Sequence, residues 1–200
     1  MMKNILFIGN SYTYYSDMPE KIFVPMAEAA GFDCAVTSVT VGGCTLSRFA
    51  DENDEAGKKL RAAIAGQHYD IVVLQEQGVR PATEPGLFEE SVAALLALLR
   101  PQAEQFMLYA TCGRKDGHKD LAELQMTCAQ LIEALAQSYD AVGTKYGLPV
   151  AHSGRAFLRH MAEHPEVELF DPDLLHPSYE GSVIAAKAIL DVMMKEYGEN

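Results

Sequence analysis

Apolar residues recur along the chain with two different periods, and each change of period marks a new element. Short apolar or β-branched runs bounded by Gly or polar residues predict strands at 3–9, 33–41, 69–75, 104–111 and 148–153. Between them, helical spacing and helix stop signals predict helices at 17–31, 46–66, 85–101, 119–147, 154–164 and 177–198. The second of these helices is expected to break near 51–54, where the sequence turns polar.

The regular alternation of strand and helix predicts a parallel sheet with helices on both faces. The run "YDIVVLQ" at 69–75 is continuously apolar, which is typical of a strand that is buried on both faces. We therefore expect one domain over residues 1–200, a flavodoxin-like three-layer α/β/α sandwich with a five-stranded parallel sheet. Sites in such sheets form at the carboxyl ends of the strands, so the residues that follow each strand are the candidates for a site.

Net charge narrows the classes of partner. The chain carries 28 acidic and 16 basic residues, a formal charge of −12, which argues against binding to nucleic acid. No apolar run is long enough for a membrane span, so no membrane association is expected. The first twelve residues are interpreted as the start of the first strand, not as a signal peptide, and a cytoplasmic location is expected by default. The oligomeric state is left open.

Metal and nucleotide sites find little support in the sequence. His160 and His164 are four residues apart, but no matching carboxylate motif accompanies them, so an exposed helix face is the preferred interpretation. The Gly-rich segments lack the spacing of a phosphate-binding loop. The four cysteines form no CxxC pair and no zinc pattern, and they are expected to be reduced and mostly buried: Cys34, Cys44, Cys112 and Cys128. The roles of Cys44 and Cys112 are left open.

Three residues at predicted element ends could support acyl transfer. Ser11 follows the first strand in "IGNSYT", where a serine taken alone is more often a helix cap. Asp173 and His176 stand three apart in "DPDLLHPS", just before the last helix, so both side chains can reach one edge of the sheet. A serine becomes a nucleophile when a histidine takes its proton and a carboxylate orients that histidine. The joint occurrence favours Ser11 as a nucleophile.

Such a nucleophile also needs donors for the negative charge that develops on the attacked carbonyl oxygen. The backbone N–H groups of Ser11 and Gly43 are candidates, because a glycine lets the backbone approach closely. A side-chain amide from Gln75 or Gln77, directly after the third strand, could complete the set. This chemistry requires no metal and no organic cofactor.

The combination of motifs resembles the SGNH (GDSL-like) hydrolases over nearly the whole chain. The resemblance rests on Gly-Asn-Ser after the first strand, Gly-Gly after the second, an amide after the third and Asp-x-x-His before the last helix. It is strongest to a branch of small bacterial members with "IGNS" and "LQEQ" blocks. The family implies its own hydrolase fold, Ser11 as nucleophile, Gly43 as the second-block donor, and Asp173 and His176 as the partners of the serine.

Two positions depart from the family pattern. Asn10 stands where the first motif usually has Asp; that residue is mainly structural, and Asn10 is also a possible substrate contact. The third block reads Gln75-Glu76-Gln77 instead of Gly-x-Asn-Asp. Alignment on the strand end puts Gln77 at the Asn, whereas related carbohydrate acetylesterases with "QGE" point to Gln75, and both stay open. Glu76 is expected to turn away and bond a neighbouring loop.

The sequence thus predicts a serine esterase that cleaves a small ester through an acyl-enzyme. A short acyl group, such as acetyl on a carbohydrate, is favoured because no long apolar lid segment stands out. The alternatives are a thioesterase or lysophospholipase-type lipid hydrolase and a non-catalytic binding module on the same fold. Arg114, in the Gly-rich loop "ATCGRKDGHKD", is predicted either to touch substrate or to belong to a simple turn.

Overall fold

A five-stranded parallel sheet forms the centre of the molecule in a computed structural model that describes residues 2–198. The strand order is β2-β1-β3-β4-β5, so the first strand of the chain lies between the second and the third. Gly9 at the end of β1 pairs with Thr40, and Ile8 pairs with Leu74. The ends of these three strands are therefore level. The strands are Lys3–Gly9 (β1), Cys34–Thr40 (β2), Tyr69–Leu74 (β3), Ala103–Ala110 (β4) and Val150–His152 (β5).

Helices surround the sheet, joined at one point by two irregular turns. After the short α1, residues 15–17 form a 3₁₀ turn and residues 18–23 a π-helical turn. The α-helices are Ser11–Tyr14 (α1), Val24–Ala29 (α2), Leu46–Ala50 (α3), Glu55–Ile64 (α4), Arg80–Thr83 (α5), Pro85–Leu99 (α6), Lys119–Leu124 (α7), Cys128–Tyr146 (α8), Ser153–Glu163 (α9) and Tyr179–Tyr197 (α10). The predicted break within 46–66 is confirmed, since α3 and α4 are separate helices.

The two faces of the sheet carry separate apolar layers, because successive side chains of a strand point to opposite faces. Leu6 and Ile8 of β1 pack with apolar side chains of α3, α4, α6 and α8. Ile5 and Phe7 pack on the opposite side with the π-helical turn, α2 and α10. The predicted three-layer α/β/α sandwich is thus confirmed. Among residues 2–198, no helix combines the length and the apolar character needed to cross a bilayer.

Two predicted helices were wrong in detail. The segment 119–147 is two helices, because Gln125 takes a left-handed conformation (φ 55°) that ends α7. Thr127 then caps α8 in a reciprocal capping box with Gln130. The segment 17–31 is not a single α-helix either. Ser16 and Asp17 are both left-handed (φ 57° and 49°), and the π-helical turn comes before α2.

Candidate active site

Ser11 is the first residue of α1, directly after β1, and its side chain does not cap that helix. The cap is Asn10, whose Oδ1 accepts the Tyr12 N–H at 3.2 Å. The Ser11 hydroxyl is therefore left for other partners. The Ser11 N–H has no acceptor within α1, since the first N–H groups of a helix lie outside its hydrogen-bond pattern.

A chain of hydrogen bonds joins the three residues that the sequence pointed to. His176 Nε2 lies 2.8 Å from Ser11 Oγ. His176 Nδ1 lies 2.6 Å from Asp173 Oδ2. Ser11 is 8% exposed, and the imidazole and the carboxylate are more open to solvent. The structure thus brings together two segments that are far apart in sequence.

The loop before α10 shapes itself around Asp173. Its Oδ1 accepts the N–H groups of Leu175 and His176, each at 3.0 Å. Burial pushes the pKa of Asp173 up, but these donors and the imidazole outweigh it and hold that pKa at about 2. Leu174 is left-handed (φ 60°), a conformation that costs energy for a branched side chain and lets the loop turn back on itself. The carboxylate is therefore ionised and aimed at Nδ1.

Tyr15 covers one face of the His176 imidazole. The two rings are parallel to within 2°, and their centroids are 4.1 Å apart. The left-handed pair Ser16 and Asp17 follows at once and reverses the chain. Sequence reasoning missed Tyr15, because an aromatic residue in "SYTYYSD" carries no sign of the direction its ring faces. The imidazole is thus held at both nitrogens and on one face.

Gln75 is buried beneath the Ser11 turn and is 1% exposed. Its Oε1 accepts the Asn10 N–H at 2.8 Å and the Thr13 hydroxyl at 2.9 Å, and its Nε2 donates to the Glu76 carbonyl. A Cβ at Gly9 would lie 2.5 Å from this Oε1, so the close approach requires a glycine. Both amide atoms of Gln75 therefore serve the fold.

Gln77 differs from Gln75 in both exposure and bonding. It is partly exposed, and its Oε1 accepts the N–H groups of Val79 and Arg80, each at 3.3 Å. Its Nε2 has no acceptor among residues 2–198. The oxygen end of this amide is thus anchored to the backbone, and the donor end is available.

Among known proteins, solved structures share the fold of this chain. No protein-family model matches the sequence, and no curated protein matches it either. A protein assigned to the SGNH hydrolases, from Slackia heliotrinireducens, is 28% identical, with a TM-score of 0.82 over 96% of this chain and 100% of its own. A lipase/acylhydrolase from Enterococcus faecalis is 18% identical, with a TM-score of 0.70 over 97% of this chain and 96% of its own. A variant of an acetyl-xylooligosaccharide esterase from Geobacillus stearothermophilus is 16% identical, with a TM-score of 0.66 over 99% and 97%.

The chain has the fold of the SGNH hydrolases, and its 28% identity to the Slackia protein supports membership of that superfamily. The resemblance inferred from the sequence motifs is thereby confirmed at the level of the superfamily and its fold. The narrower assignment, to a branch with "IGNS" and "LQEQ" blocks, stays a prediction. The lipase/acylhydrolase and the acetyl-xylooligosaccharide esterase share the fold of this chain. The activities in their names are those of these two proteins.

Gly43, the predicted second-block donor, lies in the loop after β2. Gly43 is left-handed (φ +63°), and a Cβ built on it would meet nothing within 4 Å, so this stretch of backbone is open. Asn10 Nδ2 donates to the Cys44 carbonyl at 3.0 Å and ties the loop to the Ser11 turn. The Cys44 thiol is buried, and burial raises its pKa to about 11, so it stays protonated at neutral pH.

The structure does not support the two predicted substrate contacts. Arg114 is 3% exposed; its Nε donates to Asp120 at 2.8 Å, and its Nη1 donates to the Tyr12 hydroxyl and the Gly113 carbonyl. The sequence left a substrate contact and a simple turn open for Arg114, and these partners draw its guanidinium inward. Asn10 is buried too, and both of its amide atoms are bonded within the turn.

The remaining metal and thiol candidates lie apart in the fold. The His160 and His164 rings are 4.7 Å apart on α9 and its end. Within the described range 2–198, no three His, Cys, Asp or Glu side chains cluster as a metal site would require. All four cysteines are free and buried, as the sequence predicted.

Proposed function

We propose that the protein is a serine hydrolase that cleaves carboxylic esters through an acyl-enzyme. The observation that carries this proposal is the hydrogen-bond chain from Asp173 through His176 to Ser11, with 2.6 Å and 2.8 Å between the bonded atoms. A base must lie within hydrogen-bond reach of the proton it removes, and this geometry meets that requirement. Membership of a hydrolase superfamily points to the same class of reaction.

In the proposed reaction, His176 Nε2 takes the proton from Ser11 Oγ as that oxygen attacks the ester carbonyl. Asp173 accepts from Nδ1–H and stabilises the imidazolium. The tetrahedral intermediate collapses as the imidazolium gives its proton to the departing alcohol, which leaves an acetyl or other acyl group on Ser11. Water then attacks the acyl-enzyme while His176 takes its proton, and the imidazolium gives that proton to Ser11 Oγ as the acyl–oxygen bond breaks and the acid leaves.

Three donors are proposed for the oxyanion: the N–H of Ser11, the N–H of Gly43 and Nε2 of Gln77. The choice of Gln77 over Gln75 follows from their contacts. Both the oxygen and the nitrogen of the buried Gln75 amide bond groups of the fold, whereas the amide nitrogen of Gln77 is free of partners in residues 2–198. The open backbone at Gly43 suits close approach of a substrate oxygen.

The proposed substrate is a small uncharged ester with a short acyl group, such as an acetylated carbohydrate. Two cationic side chains of the nearby loops are paired with carboxylates: Arg114 with Asp120, and Arg80 with Glu84. These paired cations are less suited to bind a phosphate-bearing substrate such as a lysophospholipid. Acetyl esters of sugars carry no such charge.

The nucleophile is tested with p-nitrophenyl acetate and a fluorophosphonate probe. The wild type is expected to hydrolyse the ester and to be labelled, and the Ser11→Ala variant is expected to do neither. Equal hydrolysis by the two proteins would contradict the nucleophile. A wild type that is neither active nor labelled would instead indicate a binding module on this fold.

The acyl length is tested with a series of p-nitrophenyl esters from two to twelve carbons. We expect the largest kcat/KM at two to four carbons, and a maximum at eight carbons or more would contradict the acetyl proposal. A panel of acetylated sugars, with Ser11→Ala as the control for spontaneous hydrolysis, then identifies the alcohol.

A further inference from the structure

Glu76 is a buried carboxylate for which the reaction proposed above has no use. It is 1% exposed and stands between the two glutamines of "LQEQ" at the end of β3. Removing a carboxylate from water is costly unless hydrogen bonds compensate. Its contacts therefore show what the fold gains from it.

One oxygen of Glu76 joins two loops of the site. Oε1 accepts the Gln77 N–H at 2.6 Å and the Leu46 N–H at 3.1 Å. Gln77 belongs to the loop after β3 and carries the proposed side-chain donor. Leu46 begins α3, three residues beyond the proposed backbone donor Gly43. A single acceptor atom thus fixes the loop after β2 to the loop after β3.

The rest of the Glu76 environment holds that oxygen in place. The Glu76 N–H donates to the hydroxyl of Tyr139, a buried residue of α8, at 3.0 Å. Arg80 Nη1 lies 3.7 Å from Oε2 and donates to Ser47 Oγ at 2.9 Å, which makes a second link between the two loops. Oε2 itself has no hydrogen-bond partner in the described part of the chain. Burial raises the pKa of Glu76, and the two N–H donors and Arg80 oppose that rise.

We propose that Glu76 is a positioning residue that sets the distance between the Gly43 and Gln77 oxyanion donors through its Oε1. The inference rests on the proposed function, because it assigns work to donors that only that reaction uses. Donors to an oxyanion act in the transition state and not in the ground state. Loss of the link should therefore lower kcat and leave KM unchanged.

The test compares Glu76→Met, which has no acceptor, with Glu76→Gln, which keeps a carbonyl oxygen in the same place. With p-nitrophenyl acetate, we expect kcat to fall about a hundredfold in E76M, the scale of one lost oxyanion donor, and less than about tenfold in E76Q. Glu84→Met is the matched control, because Glu84 contacts the same Arg80 from the exposed side. It should stay within about twofold of the wild type. If E76M fails to fold, Glu76→Asp replaces it, since its shorter side chain cannot reach both N–H groups.

A double-mutant cycle with Gln77→Met separates positioning from general damage. If Glu76 acts through the donors, the E76M/Q77M double variant has the kcat of E76M, whereas independent effects would multiply. Three results would overturn the inference. They are a double variant whose loss of kcat is the product of the two single losses, a kcat of E76M within threefold of the wild type, and equal losses of kcat in E76M and E76Q. An inactive wild type that is not labelled by fluorophosphonate would refute the proposed function itself. An active wild type with an active E76M refutes the inference alone.

Discussion

Replacing Gln75 with Met, a side chain of similar length without an amide, is expected to destabilise the fold far more than it slows the reaction. The substitution leaves the Asn10 N–H and the Thr13 hydroxyl without their acceptor in a buried site. Each unsatisfied buried donor costs about 1–3 kcal/mol, so the free energy of unfolding should fall by about 2–6 kcal/mol. That is a large part of the roughly 5–15 kcal/mol that holds a domain together.

The same substitution at Gln77 should have the opposite balance. Its side chain is partly exposed, and its two bonds to backbone N–H groups are long, at 3.3 Å. Losing these two bonds should cost about 1 kcal/mol of unfolding free energy. The loss of the Nε2 donor should lower kcat about a hundredfold with KM unchanged.

The assay pairs urea unfolding, followed by circular dichroism, with p-nitrophenyl acetate kinetics on both variants. The kinetics are measured at a temperature where Q75M is still folded. A folded Q75M that loses a hundredfold in kcat, beside a Q77M within threefold of wild type, would transfer the donor role to Gln75. Equal unfolding free energies in the two variants would refute the reasoning from burial.

Three further expectations concern pH, stacking and packing. Because the pKa of Asp173 is lowered to about 2, its carboxylate stabilises the fold above the unfolded pKa of about 3.9, and this stabilisation is lost as pH falls through 2. The urea midpoint of Asp173→Asn should therefore lie below that of the wild type at pH 7, and the two midpoints should converge in acid. A gap between the midpoints that stays constant with pH would contradict this. Tyr15→Leu should lower kcat/KM about two- to tenfold, as expected from a stacking energy of about 0.5–1.5 kcal/mol, and Tyr15→Phe should have the kcat/KM of the wild type. Equal kcat/KM values for the two variants would argue against stacking. Gly57→Ala places a Cβ 1.7 Å from the Asp51 carbonyl oxygen and should destabilise the fold by about 1–3 kcal/mol or more. Gly86→Ala has open space around it in a helix and should stabilise the fold by about 0.4–1 kcal/mol. Thermal unfolding should therefore give a lower Tm for the first variant and a higher Tm for the second than for the wild type.

The strands could be predicted because the central strands, which are buried on both faces, are nearly continuously apolar, and the edge strand β2 is rich in β-branched residues. The predicted first strand, 3–9, has the bounds of β1, and the other predicted strands overlap the observed ones closely. The split of 119–147 was missed because Gln125 is an ordinary helix former that gives no sign of a left-handed turn. The available signal was Thr127-x-x-Gln130, a capping box that announces a new helix.

The residues of the candidate site were predictable to the extent that chain order determines position. Ser11 follows from the rule that strand ends share one edge of the sheet, whereas His176 was placed by its motif just before the last helix; the hydrogen bond between them agrees with both. The choice between Gln75 and Gln77 depends on which side chain turns inward, and the alternation of a strand does not continue into a loop. The two alternatives for Arg114 stayed open for a similar reason, since partners such as Asp120 and the Tyr12 hydroxyl decide where a long cationic side chain lies.

The hydrogen bond between Ser11 and His176 spans 165 residues of the chain, which ties the chemistry to the order of synthesis. β1 is synthesised before β2 and β3, yet it can pair with both only after they have been made. The loop that carries the imidazole follows far later, after β5. Contacts of such long range form late and slowly, because loop closure must precede them. A partly synthesised chain therefore carries Ser11 without His176, and under the proposed function hydrolysis during translation would report that the loop before α10 has docked.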